Sequence, residues 1–449
     1  MGIFKAYDVR GVFPAEIDEA MAERIGAAVA SVIGGPRLVV GRDMRLSSPS
    51  ISAALVRGIL TAGVHVVDIG LVTTPMTYFA VSHLGADGGV MVTASHNPKQ
   101  YNGMKLCRDQ AKPVSYDTGL SEIERLALSG PVAPVAAPGS ATEMSILDDY
   151  VEHVLAFATN LRPLRVAVDA GNGAAGIVIP ALFRRLSNLE LVPLCMEPDG
   201  TFPNHDANPL VEENVADLKA RVVEDGCELG VAYDGDADRV AFVDENGSRV
   251  PSDVVTALLA REALREHRGK AVVYDLRSSW VVPEEIKAAG GRPVRERVGH
   301  SFIKAALREN EGIFGGELSG HYYFAENSYA DSGDIALLKL LSLMCHEGRK
   351  LSALVKPLKR YAATGELNFV VEDKDSVIER LERLFRDGHV DRLDGVTVQF
   401  EDWWFNVRKS NTEPLLRLNL EAKTPQRLAT ARARLLEILG PPVASGEAH

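Results

Sequence analysis

The chain has 449 residues, 46% hydrophobic and 24% charged, an ordinary globular composition that excludes a disordered or fibrous protein and suggests three or four domains. Its 49 basic and 61 acidic side chains give a formal charge of −12, which argues against general nucleic-acid binding and demands a locally basic cleft for any anionic ligand. No apolar run nears the ~18 residues that span a membrane. At the N-terminus, MGIFKAYDVRG meets Lys5 and Asp8 too early for a signal-peptide core, and Ala6 departs from the myristoylation pattern. The expected location is the cytoplasm. Cys107, Cys195, Cys227 and Cys345 lie far apart and read as buried thiols rather than as crosslinks.

Along the chain, short apolar strands recur in triplets separated by amphipathic stretches, three times over. The first triplet is RLVVGRD (37–43), VHVVDIG (64–70) and GGVMVTASHN (88–97). The second is RVAVDAG (165–171), LELVPLC (189–195) and ELGVAYDGDADR (228–239). AVVYDLR (271–277), RPVRERVGH (292–300) and GIFGGELSGH (312–321) make the third. This alternation predicts three related α/β units with mostly parallel mixed sheets. Ligands gather at the carboxyl ends of such strands, and the most polar loop of each triplet follows its third strand, so the three loops are expected to face one cleft.

Pro- and Ala-rich SGPVAPVAAPGSATEM (129–144) reads as a loop or linker. With further breaks near Pro251-Ser252 and Ala362–Thr364, it divides the chain into 1–145, 146–250, 251–362 and 363–449. The last part changes pattern: a strand (366–372), a helix with a stripe of Val377, Ile378, Leu381, Leu384 and Phe385, three strands (396–421), and a final helix opened by Thr424-Pro425. A smaller domain of different build follows, with the expected hinge at Ala362–Thr364.

Three loops carry chemistry. In TASHNP (93–98), Ser95 precedes His96, but neighbours leaving an extended strand point to opposite faces, so the histidine is a poor base for a hydrolase-like serine. The bland reading is a turn residue. Asp234, Asp236 and Asp238 set three carboxylates at alternate positions after an apolar strand, a hard-oxygen set suited to Mg²⁺. A Ca²⁺ helix–loop–helix would place Glu245 at its twelfth position, but Arg239 stands where glycine is needed and strands flank the site. A phosphorylated Ser95 would bring nearly two negative charges for such a metal and nearby arginines to neutralise. Arg408, Ser410, Asn411 and Thr412 supply a guanidinium, hydroxyls, an amide and turn N–H groups: a phosphate cradle, or a solvated turn.

Taken in series, TASHNP, DGDADR, GELSGH and RKSNTEP, with FKAYDVRG at the start, resemble the α-D-phosphohexomutase superfamily over essentially the whole chain. GELSGHYYF is most similar to its bacterial phosphomannomutase/phosphoglucomutase branch; the phosphoglucosamine mutase branch usually has Gln where this chain has Leu318. The resemblance implies four domains around a central cleft, the last like the TATA-binding-protein fold. It implies that Ser95 is phosphorylated and that Asp234, Asp236 and Asp238 hold Mg²⁺ with one phosphoserine oxygen. A hexose monophosphate would take the phosphoryl group, turn around as a 1,6-bisphosphate, and return its other phosphate to Ser95. Glu317 and Ser319, in a loop with Leu318, Gly320 and His321, would bind sugar hydroxyls, while Arg408, Ser410, Asn411 and Thr412 hold the non-reacting phosphate. Tyr7, Arg239, Arg277 and His300 match other ligand contacts, and Arg10 and Lys105 match residues near the phosphoserine. Lys105, as a lysine among cations with a lowered pKa, and His321 are the general acid/base candidates. Arg277 stands where the branch often has lysine, a fork-shaped donor in place of a compact ammonium. The expected partners are phosphosugars alone, with neither nucleic acid nor membrane, on a monomer or an undefined oligomer. A non-catalytic Ca²⁺- or sugar-phosphate-binding protein is the competing class.

Overall fold

The computed structural model describes residues 2–130, 135–410 and 415–443, which form four sheets in sequence order. Across the first sheet lie Val9–Val12, Tyr101–Arg108, Gly88–Val92, Arg37–Arg42, His65–Leu71 and Ala141–Glu143. The second runs Arg249–Val250, Val240–Asp244, Leu229–Tyr233, Leu164–Asp169, Leu189–Leu194, and the third Arg292–Glu296, Ala271–Asp275, Phe314–Gly316, Tyr322–Phe324, Ala330–Asp331. All three share a plan in which the triplet strands are parallel, with the third beside the first. From the third strand the chain then returns antiparallel. The inner parallel strands Gly88–Val92, Leu229–Tyr233 and Ala271–Asp275 are covered on both faces, as their apolar sequences require; every residue of the three is buried. Each polar motif is therefore the hairpin connection between a third strand and its return, at the carboxyl end of the parallel set.

One continuous core runs through all three units, joining Val39, Met91, Val168, Phe242, Phe314 and Leu340. At its centre the helix Gly333–Glu347, started by the Ser332 side chain, packs on Leu147–Leu155 and Ser252–Glu266. The fourth sheet is wholly antiparallel, in the order Ala362–Phe369, Leu416–Ala422, Trp403–Lys409, Val396–Gln399, His389–Asp391. Helices Lys374–Leu384 and Pro425–Leu439 complete a separate core around Phe369, Leu381, Phe405 and Leu435.

Several details depart from the sequence expectations. The supposed linker 129–144 contributes Ala141–Glu143 as an edge strand, all of it exposed and so without an apolar pattern to announce it. In the stripe of Lys374–Leu384, Leu381 and the following Phe385 are buried but Leu384 is 46% exposed. The strand His389–Asp391 has only three residues. Ala362–Thr364, expected as a hinge, already belongs to the strand Ala362–Phe369, and its irregularity is a register break between Ala363 and Glu366.

Candidate active site

Ser95 sits where Gly88–Val92 ends, with φ of +50°, a left-handed conformation uncommon outside glycine. This overturns the expectation that its neighbour points away: His96 Nδ1 lies 3.2 Å from Ser95 Oγ. Burial, then Arg239, Arg10 and Lys105, hold His96 well below its ordinary pKa. Ser95 Oγ also donates to Asp234 Oδ2 at 2.8 Å, across the boundary between the first two units. Beneath the loop is Arg45, fully buried and paired with Asp43. Its terminal nitrogens donate to the carbonyls of Ser95 (2.8 Å), Asn97 (2.6 Å), Pro98 (2.8 Å) and Tyr101 (3.0 Å). Arg10 donates to the Asn97 side chain and, at 2.5 Å, to Asp8.

Asp234, Asp236 and Asp238 are buried, and one oxygen of each lies within 4.8 Å of the others. Asp236 Oδ1 has no hydrogen-bond partner among the described residues. Burial and the two neighbouring carboxylates push the Asp234 carboxyl above its ordinary range. Buried, mutually repelling and partly unsatisfied oxygens of this kind fit a divalent cation. The Ca²⁺ loop does not fit: strands flank the motif, and Glu245 is committed to Ser352, whose N–H (3.2 Å) and hydroxyl it accepts. Lys105 donates to Asp236 at 2.7 Å and to Asp238. Burial alone would lower its pKa, but Asp236 and Asp238 outweigh burial and hold the ammonium above its ordinary value. The expected lysine among cations is thus a lysine among carboxylates.

In the third motif, Glu317 accepts from the Tyr323 hydroxyl and from Gly299 N at 3.1 Å, while Leu318 N donates to Asp275 Oδ2 at 2.7 Å. Ser319 Oγ lies 3.1 Å from His321 Nδ1. Gly320 has φ of +86° and accepts Val240 N at 3.0 Å, joining this loop to the return strand of the metal motif. His321 Nε2 is 3.3 Å from Asp238 Oδ1, and its Nδ1 is 3.3 Å from Glu317 Oε2. Burial would lower His321, but Asp238 wins and the ring is pushed up to about 9. Arg239 Nε approaches the same Nε2 at 3.3 Å. Tyr7 donates to Val298 O at 2.9 Å, edge-on to His300, which burial holds well below its ordinary pKa. The three motif loops therefore meet.

From the fourth sheet, buried Arg408 donates to Glu366 at 3.0 Å. Arg277 grips Asp275 through two bonds, 3.1 and 2.9 Å, and reaches the same Glu366 at 3.3 Å. Ser410 N donates to Leu415 O at 2.9 Å. Asn411 and Thr412 lie outside the described residues.

Compared with known proteins, residues 1–130, 148–247 and 251–361 match the alpha/beta/alpha domains I, II and III of phosphoglucomutase/phosphomannomutase, and 366–438 match its C-terminal domain. The chain belongs to the phosphoglucomutase/phosphomannomutase family. It is 43% identical over 448 residues to a phosphomannomutase of Salmonella montevideo, covering 97% of this chain and 98% of that one. Phosphohexose mutases of Xanthomonas campestris pv. campestris (strain B100) are 42% identical over 439 residues, 96% of this chain and 97% of theirs. A solved structure of a phosphoglucomutase/phosphomannomutase family protein from Burkholderia thailandensis superposes with a TM-score of 0.89 at 35% identity, covering 98% of each chain. As a member of this family the chain is a mutase-type phosphotransferase.

Three further residues shape this phosphoglucomutase/phosphomannomutase site without standing out in the sequence. Arg45 follows a strand end in GRDMRLSS, a position whose polar cluster signals a site once the sheet is known. Thr74, the first residue of the helix Thr74–His83, donates through Oγ1 to Asp236 Oδ2 at 2.6 Å and through N to Asp236 O at 2.9 Å. Glu366 gives no local signal, because its partners lie 42 to 89 positions away.

Proposed function

We infer that this enzyme interconverts the 1-phosphates and 6-phosphates of mannose and glucose by way of a phosphorylated Ser95 and a hexose 1,6-bisphosphate. The observation that carries the reading is the 2.8 Å bond from Ser95 Oγ to Asp234 Oδ2, which puts the hydroxyl of one unit against the carboxylate cluster of the next. A hexose hydroxyl attacks the phosphorus on Ser95; its O–P bond forms as the Ser95 Oγ–P bond breaks, and its proton passes to a neighbouring base. The bisphosphate then turns and its other phosphate returns to Ser95 Oγ. Asp234, Asp236 and Asp238 would hold a divalent cation, Mg²⁺ by oxygen chemistry, which supplies charge neutralisation at the transferring group.

Lys105, held protonated by Asp236 and Asp238, and Arg10, bonded to Asn97 of the serine loop, supply positive charge for the phosphoryl oxygens. Of the two proton-transfer candidates, His321, between Asp238 and Glu317, remains; Lys105, whose ammonium Asp236 and Asp238 hold, acts as a charge rather than as a base. Glu317 and Ser319 bind sugar hydroxyls, with Leu318 and Gly320 shaping the loop through backbone bonds. Tyr7, Arg239, Arg277 and His300 make other ligand contacts, and Arg408 and Ser410, with Asn411 and Thr412, take the non-reacting phosphate. The test is turnover of mannose 1-phosphate, glucose 1-phosphate and glucosamine 6-phosphate, side by side, by the wild type and Ser95→Ala. Both 1-phosphates should turn over, glucosamine 6-phosphate should not, and Ser95→Ala should be at least about a thousandfold slower; a near-normal variant would refute the reading.

A further inference from the structure

Three guanidiniums converge on one carboxylate at the seam between the third and fourth units. Glu366 accepts from Arg408 at 3.0 Å, from Arg417 at 2.9 Å and from Arg277 at 3.3 Å. Within the fourth sheet, Arg408 and Arg417 are directly opposed on neighbouring strands, a like-charge pairing that is unfavourable by itself. On the other side of the Arg417 strand, the register break before Glu366 sets its side chain diagonal to Arg417. Arg277 comes from the third unit, and the Asp275 that grips it also accepts the amide of Leu318 in the sugar loop. Burial would raise Glu366, but Arg277, Arg408 and Arg417 outweigh it and bring its carboxyl down to about 2. It is an anion at any working pH, and its side chain is still 22% exposed.

We propose that Glu366 is a built-in stand-in for the substrate's phosphate: with no phosphosugar bound it holds Arg408 and docks the fourth unit on Arg277, and the ligand's non-reacting phosphate takes Arg408 from it. A phosphate dianion offers nearly two charges and three acceptor oxygens where Glu366 offers one charge and two, so the exchange favours the ligand while still subtracting from its affinity. The proposal rests on the assignment of Arg408 to the phosphate.

The experiment is calorimetric titration of glucose 1-phosphate into Ser95→Ala protein, which cannot turn over, alone and with Glu366→Gln, Arg408→Ala or both. Removing the competing charge while keeping the shape should tighten binding about fivefold or more, and the gain should vanish in the Arg408→Ala background. Unchanged or weaker binding in folded Glu366→Gln protein, with binding weakened by Arg408→Ala, overturns the stand-in and leaves the phosphate assignment intact. Undiminished binding in Arg408→Ala removes that assignment and the proposal with it. If Glu366→Gln does not fold, Glu366→Asp, which withdraws the carboxylate by one methylene, should shift affinity in the same direction, and a loss of affinity there counts against the proposal equally.

Discussion

Arg45 lies under the serine loop with no solvent exposure, its Nε facing Asp43 and its terminal nitrogens spread over four loop carbonyls. Truncating one member of a buried pair leaves an uncompensated charge and costs about 3–5 kcal/mol. Arg45→Met should therefore lower the unfolding free energy by about 3 kcal/mol or more in a urea titration, and kcat should fall as the loop loses its support; an unchanged midpoint would contradict this. His205 pairs with Asp169 at the end of the strand Leu164–Asp169. Its Nε2 is 3.0 Å from Asp169 Oδ2 and its Nδ1 is 2.9 Å from Asp206 O, so both ring nitrogens face oxygens. The Asp169 bond outweighs burial and pushes the ring up to about 9. A folded value above the unfolded ~6.5 means stabilisation that is complete below pH ~6.5 and lost as pH rises through ~9, worth about 1–2 kcal/mol after allowance for partial exposure. Urea stability should fall over that window in the wild type and fall less in His205→Asn; parallel curves would refute it. At this scale the sequence singled out Ser95 and the three aspartates, which the structure brings together. It hid Arg45 and Glu366, whose roles exist only through partners distant in the chain, and it misjudged Lys105, because its immediate sequence neighbours are not its spatial ones.

Each of the three motif loops is a hairpin connection, and their meeting is fixed by backbone contacts as much as by side chains. Val240 N donates to Gly320 O, and Ala174 N donates to Gly235 O at 2.9 Å. Gly235 is also where the metal motif touches the serine loop: a Cβ there would come 2.5 Å from Ser95 O. Gly235→Ala must therefore push the two loops apart, and a displacement near 1 Å at a reacting centre costs about a hundredfold in rate. We expect kcat to fall by about that factor while the thermal midpoint moves by only a few degrees; a variant with full kcat would show that the two loops need not touch. The inner parallel strands were legible because burial on both faces forces continuous apolar runs. The edge strand Ala141–Glu143, wholly exposed, and the three-residue strand His389–Asp391 are held by backbone pairing that side-chain patterns do not record.

At the scale of the whole molecule, two kinds of attachment coexist. The first three units share one hydrophobic core, which fixes the serine, metal and sugar loops relative to one another. The fourth has its own core and is docked through polar contacts: Arg277 to Glu366, Arg295 to Asp391, and Trp280 N to Glu421 at 3.0 Å. An interface of this polar kind permits relative motion, whereas a shared apolar core resists it. The Ser95, Asp234 and Glu317 loops thus sit on the units that share a core, and Arg408 on the unit attached through polar contacts. Repeated triplets made the first arrangement readable from the sequence; the second was not, because ion pairs between units leave no periodic trace. The most direct test of the account is the mass of tryptic peptides after incubating the protein with glucose 1,6-bisphosphate and Mg²⁺. The account expects about 80 Da, one phosphoryl group, on the peptide bearing Ser95, chased off by added glucose 1-phosphate at a rate no slower than turnover. An active enzyme that gains no such mass, or carries it on another residue, would contradict it.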